Sequence, residues 1–481
     1  MDSTGYIKRE DRKKILLISD DIRLQSGVAT VAREIVVGTS NKYNWVNLAA
    51  AINHPDKGKK LDLSQDTNNI MSINDASIFL YPIDGYGTPD IVRQMIELEK
   101  PDAVMIITDP RYFVWLFQME HEIRKSAPLI YLSIWDNYPA PLYNKSFYES
   151  CDALFGISKQ SKLVSELVLE EKAKDKVIKY VPHGINEKYF YPINNFMKED
   201  SEKLKLMKNK LFGKKEYDFV LLYNARNIRR KCVSDLIVAW SVFCDKIGSE
   251  KANKCCLLLH TQKLDENGTD LPAVIDLTCS EDYKHVIFSE DRLSTGDMNL
   301  LYNLSDACAL VSSNEGWGLS LTEAMMTGKM IIANVTGGMI DQMRFEDEKG
   351  NWLEYSKDFP SNHFGTYKNH GVWAEPVYPS NFSLVGSIPT PYIWDDRADF
   401  RDIAKAIENV YSLDAEERAA RGFKARKWVT SDEAMMTSRK MCENIVDGID
   451  ETISKFKPRH KFELIKVTPL KKKSIKHKLI Y

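Results

Sequence analysis

The chain has 481 residues, of which 43% are hydrophobic and 28% charged, and its 66 Lys and Arg nearly balance its 68 Asp and Glu. This composition excludes a largely disordered chain, and the net charge of −2 provides no overall basic field for nucleic acid or membrane. At about 100–200 residues per domain, the length indicates two or three domains.

The sequence favours a reducing compartment. Residues 1–14 are polar and charged, so we expect no secretory signal. No apolar run approaches the roughly 20 residues that span a bilayer. The eight cysteines include no CxxC spacing, which fits free thiols better than a disulfide scaffold or a zinc site. We therefore expect a cytoplasmic protein.

In the first part of the chain, short apolar runs alternate with amphipathic segments. A helix is predicted over 27–37, directly after the first strand. Short apolar runs separated by helices are typical of buried parallel strands with right-handed crossovers, so we predict a Rossmann-like sheet. Its predicted strands are 15–19, 77–81, 103–108, 129–134, 153–157 and 177–181.

The same alternation begins again after a polar, Lys-rich stretch at 194–215, which suits a linker or surface helix. Two successive α/β units imply two sheets that face a cleft, and ligands of open α/β folds bind at the carboxyl ends of the strands. The second set of predicted strands is 219–223, 256–259, 286–288, 307–311 and 330–333, with helices predicted at 233–243, 297–304 and 319–327.

These patterns predict three parts: an acceptor domain at 1–192, a donor domain at 193–430, and a helix with a basic tail at 431–481. The donor domain contains a loop-rich insert at about 345–395, too long for a simple connection, which we interpret as a lid or a local decoration. Residues 451–481 hold ten Lys and Arg against two Glu, a formal charge of +8.

The most informative stretch is 312–338, SSNEGWGLSLTEAMMTGKMIIANVTGG. Glu315 follows a predicted strand and therefore lies at the carboxyl edge of the second sheet. Gly316 and Gly318 allow the backbone to turn tightly and approach a ligand. The amides of Gly318, Leu319 and Ser320 begin the next helix, and a helix N-terminus suits a phosphate or a sugar oxygen.

Glu315 and Glu323 are eight residues apart, the first in the loop and the second just over one turn into the helix. Both carboxylates can therefore face one ligand, and carboxylates accept hydrogen bonds from pairs of hydroxyls such as those of a sugar and a ribose. The alternative is that Glu323 is a solvated helix residue and Glu315 a charge favoured by the helix dipole.

The stretch Glu315-GWGLSLT-Glu323 resembles the signature of family 4 glycosyltransferases, in which seven residues separate two glutamates. Segments 181–192, which includes VPHGIN, and 223–231, which includes YNAR and a final Lys, resemble further parts of that family. The resemblance covers most of the chain. It implies a GT-B fold and retaining transfer of a sugar from a nucleotide-sugar, most commonly a UDP-sugar.

The resemblance also implies roles for single residues. Arg226 and Lys231 are expected to bind the donor diphosphate, Glu323 the ribose hydroxyls, and Glu315 the transferred sugar with help from the amides of 318–320. Fixed cations stabilise the negative charge that builds on a leaving phosphate, which agrees with this assignment. The alternative for Arg226 and Lys231 is a solvated basic loop.

Gly27 opens the predicted helix that follows the first strand. A glycine at this point allows the backbone to approach a donor phosphate or the acceptor, and we include it among the donor-binding candidates. A simple turn explains it equally well.

The sequence departs from the family pattern at several positions. Ala225 and Cys232 stand where the family usually has glycines, and Trp135-Asp136 replaces a usual His-Asp pair. Because that histidine is absent, Asp136, Asp109 or a backbone carbonyl takes its place, and the two aspartates are the candidate catalytic side chains in the first domain. Each could equally cap the segment that follows it.

No Asp-x-Asp pair stands beside a strand end with other metal-ligand residues. The Arg and Lys pair and the helix dipole can supply the positive charge, so we expect no obligatory divalent metal and no cofactor. The nucleotide-sugar itself is a substrate.

The acceptor stays open among a saccharide, a lipid, a protein and a modified base in DNA. Residues 1–200 hold 25 Lys and Arg against 28 Asp and Glu, so no broad basic footprint is present. The aromatic clusters at 112–115 and 135–148 suit stacking on sugars or bases, or core packing. The basic tail suits nucleic acid or an anionic membrane surface, and it is equally typical of a solvated tail.

Two other functions share this architecture in principle. One is a nucleotide-sugar epimerase of the GT-B fold. The other is a non-catalytic nucleotide-sugar-binding protein, suggested by the altered glycines and the missing histidine.

Overall fold

The structure, a computed structural model, describes residues 5–135, 138–194, 196–356 and 365–459. Two predominantly parallel sheets, of eight and six strands, form its framework, with helices connecting most of their strands. This confirms the predicted α/β class with two Rossmann-like units. Among the described residues, no helix combines the length and the apolar character that crossing a membrane requires.

The first sheet has the strand order β3-β4-β2-β1-β5-β6-β7-β8, and only the β3–β4 pair is antiparallel. Strand β2 is not predicted from the pattern of apolar runs, because Asn44 and Asn47 interrupt its own run. Asn47 is fully buried, and its amide donates to the carbonyl of Leu17 at 3.3 Å. The strands are Lys13–Asp20 (β1), Tyr43–Ala51 (β2), Leu61–Asp62 (β3), Ile78–Asp84 (β4), Ala103–Ile107 (β5), Leu129–Ser133 (β6), Ala153–Gly156 (β7) and Val177–Tyr180 (β8).

The second sheet is parallel throughout, in the order β11-β10-β9-β12-β13-β14. All five strands predicted for it are present. The sixth, β14, lies inside the segment that was assigned to the loop-rich insert. The strands are Phe219–Asn224 (β9), Cys255–His260 (β10), His285–Phe288 (β11), Ala307–Leu310 (β12), Met330–Asn334 (β13) and Ala374–Val377 (β14).

The helices connect these strands and cover the sheets. Those of the first unit are Gly27–Gly38 (α1), Ser64–Met71 (α2), Pro89–Glu99 (α3), Val114–Gln118 (α4), Glu120–Ile123 (α5), Lys145–Ser150 (α6) and Lys159–Leu169 (α7). The later helices are Lys198–Phe212 (α8), Val233–Ile247 (α9), Ser249–Ala252 (α10), Leu271–Thr278 (α11), Thr295–Asn303 (α12), Leu319–Met326 (α13), Met339–Met343 (α14), Phe400–Tyr411 (α15), Ala415–Val429 (α16) and Ser438–Lys455 (α17).

The insert contains an antiparallel hairpin of strands Asn381–Ser387 (β15) and Thr390–Arg397 (β16). Strand β16 lies between loops of the two units. The amide of Trp394 donates to the carbonyl of Tyr138 at 2.8 Å, and its carbonyl accepts from the side chain of Asn314 at 2.7 Å. The hairpin therefore joins the first unit to the loop that precedes Glu315. Residues 357–364 of the insert lie outside the described residues.

The last helix, α17, packs against the first unit. The hydroxyl of Tyr43 donates to Asp450 at 2.7 Å, and the hydroxyl of Ser438 donates to Glu34 at 2.6 Å. The predicted boundaries at 192 and 430 stay predictions. Most of the basic tail, residues 460–481, lies outside the described residues.

Candidate active site

The glycine-rich loop between β12 and α13 requires glycine at one of its own positions and at one position of the loop that follows β13. Gly318 has a φ of 89°, and a Cβ there would lie 3.0 Å from Leu310 and 3.5 Å from Glu315. A Cβ at Gly338 would lie 2.1 Å from the carbonyl oxygen of Gly316, a distance that no side chain tolerates. The glycines therefore let two backbone segments touch where Glu315 leaves the sheet.

Buried polar side chains fix this loop. The indole of Trp317 donates to the hydroxyl of Thr322 at 2.9 Å, and that hydroxyl donates to the amide oxygen of Gln342 at 2.7 Å. The amide nitrogen of Gln342 returns to the carbonyl of Trp317 at 2.5 Å. All three side chains are buried, and a satisfied buried network of this kind holds a loop in one conformation.

Glu315 is the meeting point of two cations. The Lys231 ammonium donates to Glu315 Oε2, and the Arg230 guanidinium donates to the same oxygen at 3.2 Å and to the carbonyl of Asn314 at 2.7 Å. The side chains of Lys231 and Glu315 are only 12% and 11% exposed. Burial by itself raises the pKa of Glu315, but the charges of Lys231 and Arg230 outweigh it and lower the pKa to about 2. The carboxylate is therefore ionised at neutral pH.

A tight turn after β9 presents both cations. Arg229–Lys231 forms a single 3-10 turn, and the amide of Ser313 donates to the carbonyl of Arg230 at 2.8 Å. Cys232 follows with a φ of 52°, a left-handed conformation that favours glycine. The resembled family usually has glycine at this position. Because cysteine stands there instead, the backbone next to Lys231 is strained.

Arg226 has a different partner. Its guanidinium holds Asp265 with two bonds of 2.6 and 3.1 Å, and its side chain is 61% exposed. The hydrogen bond from Arg226 lowers the pKa of Asp265. The structure brings Lys231 to Glu315, as the sequence analysis expects, but it brings Arg230 there in place of Arg226. The sequence does not show which of these arginines contacts Glu315, because that depends on the conformation of the turn.

Glu323 lies one turn into α13 and forms a second polar group. It accepts a hydrogen bond of 2.5 Å from the hydroxyl of Tyr302, which accepts one of 2.8 Å from the side chain of Asn224. Burial raises the pKa of Glu323 to about 7. Tyr302 and Asn224 are not among the residues predicted from the sequence. In the sequence, only the position of Asn224 at the end of a predicted strand marks it as a candidate.

The two units approach each other at the starts of α1 and α13. Gly318 is the N-cap of α13, so Leu319 and Ser320 supply its first helical amides. A Cβ on Gly27 would lie 3.6 Å from a methyl group of Leu319. Ser26 caps α1 by accepting from the amide of Ala29 at 3.0 Å. The structure therefore brings Gly27 of the first unit to the glycine-rich loop of the second.

Of the two catalytic candidates in the first unit, the structure describes only Asp109. Asp109 follows β5 and accepts from the amide of Arg111 at 2.9 Å, while the Arg111 guanidinium lies 2.6 Å from its other oxygen. This is the capping role that the sequence analysis left open for Asp109. Asp136 lies outside the described residues.

A cavity in the structure lies away from the predicted site residues. It has a volume of about 510 Å³ and lies between the two units, with Lys159, Arg344 and Trp352 in its wall, and none of the predicted site residues lines it. Across the four described ranges, no group of three or more His, Cys, Asp or Glu side chains is arranged to hold a metal ion.

Residues 207–358 match the family model described as glycosyl transferases group 1. Several solved structures resemble 92% of the chain: HepE of Anabaena in complex with UDP and glucose (13% identity, TM-score 0.61, 100% of that chain), sucrose-phosphate synthase of Thermosynechococcus elongatus (14%, 0.63, 100%), and a glycosyltransferase of Rickettsia africae (15%, 0.59, 99%). No curated protein matches the sequence. At these identities the structural likeness concerns the fold.

Proposed function

We propose that this chain is a group 1 glycosyltransferase that transfers a sugar from a UDP-sugar with retention of anomeric configuration. The match of residues 207–358 to the glycosyl transferases group 1 model and the likeness of the fold to HepE and sucrose-phosphate synthase support this proposal. The observation that carries the proposal is the convergence of Lys231 and Arg230 on one oxygen of Glu315, beside the start of α13. The presence of UDP and glucose in the similar HepE structure supports the choice of nucleotide.

The donor diphosphate replaces Glu315 as the partner of the two cations. Cleavage of the glycosyl–phosphate bond builds negative charge on the leaving oxygen, and cations held in a partly enclosed site stabilise that charge in the transition state. Lys231 acts as a point charge and Arg230 as a planar fork of donors. Arg226 is a third candidate for the diphosphate, and it reaches the ligand by leaving Asp265.

The displaced Glu315 turns to the transferred sugar. Its low pKa keeps it ionised, so it accepts hydrogen bonds from sugar hydroxyls and stabilises positive charge on the sugar ring. The amides of Gly318, Leu319 and Ser320 face the diphosphate and the sugar at the positive end of α13. Glu323 binds the ribose hydroxyls, and the backbone at Gly27 approaches from the other unit.

The reaction proceeds on one face of the sugar. The bond between the anomeric carbon and the diphosphate oxygen breaks, and the new bond to the acceptor oxygen forms on the same face. The proton of the acceptor hydroxyl passes to the leaving diphosphate. Asp109 and Asp136 remain candidates for aligning the acceptor. Because Lys231 and Arg230 carry the positive charge, we expect no need for a divalent metal ion.

The test does not require the acceptor, because water can take its place slowly. We expect calorimetric titration to find binding of UDP-glucose in preference to GDP-mannose and ADP-glucose. We expect proton NMR to detect α-glucose as the first hydrolysis product, at the same rate with EDTA. Epimerisation of the donor without transfer would indicate the epimerase instead. Donor binding without hydrolysis or transfer to any acceptor would indicate a non-catalytic binding protein.

A further inference from the structure

A group of side chains at the carboxyl edge of the first sheet has no part in donor binding. Asp20 ends β1, Tyr86 follows β4, and Tyr112 stands in the turn after β5. The half-buried Asp20 carboxylate accepts 2.6 Å hydrogen bonds from the hydroxyl of Tyr86 on one oxygen and from the hydroxyl of Ser26 on the other. Two neutral hydroxyls therefore orient a carboxylate whose other lone pairs remain available to a ligand.

This group lies beside the proposed donor site. Ser26 bonds to Asp20 and also caps α1, and Gly27, the next residue, approaches Leu319 at the start of α13. Ser26, which holds the Asp20 carboxylate, is therefore the neighbour in sequence of the glycine that approaches the second unit. An acceptor hydroxyl bound near Asp20 would enter the cleft opposite the glycine-rich loop.

An aromatic surface adjoins the carboxylate. The rings of Tyr86 and Tyr112 lie 5.1 Å apart at an angle of 38°. Tyr112 is 54% exposed, whereas its neighbour Phe113 is fully buried. Thr108, on the same loop, has a φ of 120°, which is strained for a β-branched residue, and such strain concentrates at functional sites. An exposed ring beside an oriented carboxylate matches a sugar, which has apolar C–H faces and donating hydroxyls.

The charges around this group argue against a phosphorylated acceptor. The guanidinium of Arg23 lies 2.6 Å from a carboxylate oxygen of Asp21, and that of Arg111 lies 2.6 Å from Asp109. Each of these two cations is thus matched by a carboxylate, and Asp20 adds one further negative charge. A phosphate group here would meet a carboxylate, which costs free energy through like-charge repulsion.

We propose that Asp20, Tyr86 and Tyr112 form the acceptor subsite and that the acceptor is an uncharged saccharide. This inference rests on the proposed function, because the subsite serves the same transfer. Asp20 accepts a hydrogen bond from an acceptor hydroxyl, and the ring of Tyr112 packs against the sugar. Tyr86 holds Asp20 in position and extends the aromatic surface.

The experiment measures transfer from UDP-glucose to matched acceptors: glucose and maltose, glucose 6-phosphate, and a DNA duplex that contains 5-hydroxymethylcytosine. We expect a neutral sugar to be the best acceptor, with kcat/KM for glucose 6-phosphate at least about tenfold lower than for glucose. Preference for glucose 6-phosphate or for the DNA duplex would overturn the inference.

Single substitutions test whether Asp20 and Tyr112 bind the acceptor. We expect Asp20→Asn and Tyr112→Ala each to raise KM for the best neutral sugar at least about tenfold, with the Kd of UDP-glucose unchanged. The matched controls are Asp66→Asn and Tyr189→Ala, which alter exposed side chains on other surfaces and should leave KM unchanged. Thermal unfolding of each variant checks that it is folded.

The outcomes separate the two proposals. If UDP-glucose binds and is hydrolysed but no neutral sugar is accepted, or if neither Asp20→Asn nor Tyr112→Ala changes KM, the acceptor subsite is wrong and the donor assignment stands. If neither UDP nor UDP-glucose binds, the proposed function fails, and the acceptor inference fails with it.

Discussion

The two sheets present opposite electrostatic arrangements at their carboxyl edges. At the second sheet, two cations, Lys231 and Arg230, share one oxygen of the single carboxylate of Glu315. At the first sheet, the carboxylate of Asp20 is held by two neutral hydroxyls. Arg23 and Arg111, on the loops of the first sheet, form ion pairs with Asp21 and Asp109.

The difference teaches how one fold repeated twice can handle two unlike ligands. Parallel α/β sheets bind ligands at the same edge, so the loops alone decide the chemistry. An excess of positive charge at the second edge suits an anion, whereas an oriented carboxylate at the first edge suits hydroxyl groups. On the proposed assignment, each edge disfavours the ligand of the other edge, so the donor and the acceptor would each bind at its own edge.

The largest effect is expected at Glu315, where the donor edge depends on one acid. Glu315→Gln should lower the rate of transfer by about 100- to 1,000-fold, since it removes a charge that acts on the transition state. It should also lower the free energy of unfolding by about 3–5 kcal/mol, because Lys231 and Arg230 lose their buried counter-charge. Transfer kinetics and chemical denaturation measure the two losses.

A charge-balanced variant separates these effects. Lys231→Met combined with Glu315→Gln removes one charge of each sign, so it should regain much of the stability and none of the transfer. If transfer returns together with stability, the acid of Glu315 has only a structural role.

The next effect distinguishes the three arginines that follow β9, which are Arg226, Arg229 and Arg230. Arg230→Gln should weaken UDP binding about tenfold, which corresponds to the loss of one charge-assisted hydrogen bond. Arg229→Gln, on an exposed side chain, should leave Kd unchanged, and Arg226→Gln tests whether that residue leaves Asp265 for the ligand. Calorimetry at one ionic strength provides the comparison. Equal effects of all three substitutions would indicate a general basic field in place of a specific pair.

The smallest effect concerns pH at Glu323. Its pKa of about 7 predicts that UDP-glucose binds more tightly as pH rises from about 6 to about 8, since the ionised carboxylate accepts hydroxyls better. The raised pKa has the opposite consequence for stability. The folded state favours the neutral acid, so this contribution is complete below an unfolded pKa of about 4.3 and is lost as pH rises through 7.

Glu323→Gln is the control for both trends, because the amide does not titrate. The variant should flatten the pH dependence of Kd and remove the contribution of this group to the pH dependence of the melting temperature. If the variant keeps the wild-type slope of Kd against pH, another group is responsible.

The sequence by itself determined the class of fold and the position of the glycine-rich loop that carries Glu315. Strands such as β5 and β6 are fully buried, so they appear in the sequence as short, continuous apolar runs. Glu315 and Glu323 can be recognised in the sequence because a strand end, two glycines and a helix start follow one another within a few residues. Strand β2 is not predicted because Asn47, which is buried and donates its amide to a neighbouring strand, looks polar in the sequence alone.

Tertiary structure alone decided which polar and aromatic side chains act together. Arg226 and Arg230 have the same chemistry, and only the turn after β9 directs one to Asp265 and the other to Glu315. Tyr112 and Tyr148 belong to similar aromatic clusters, yet one is exposed and the other fully buried. The physical reason is that ion pairing and burial depend on partners distant in sequence, whereas strand and helix patterns depend on neighbours.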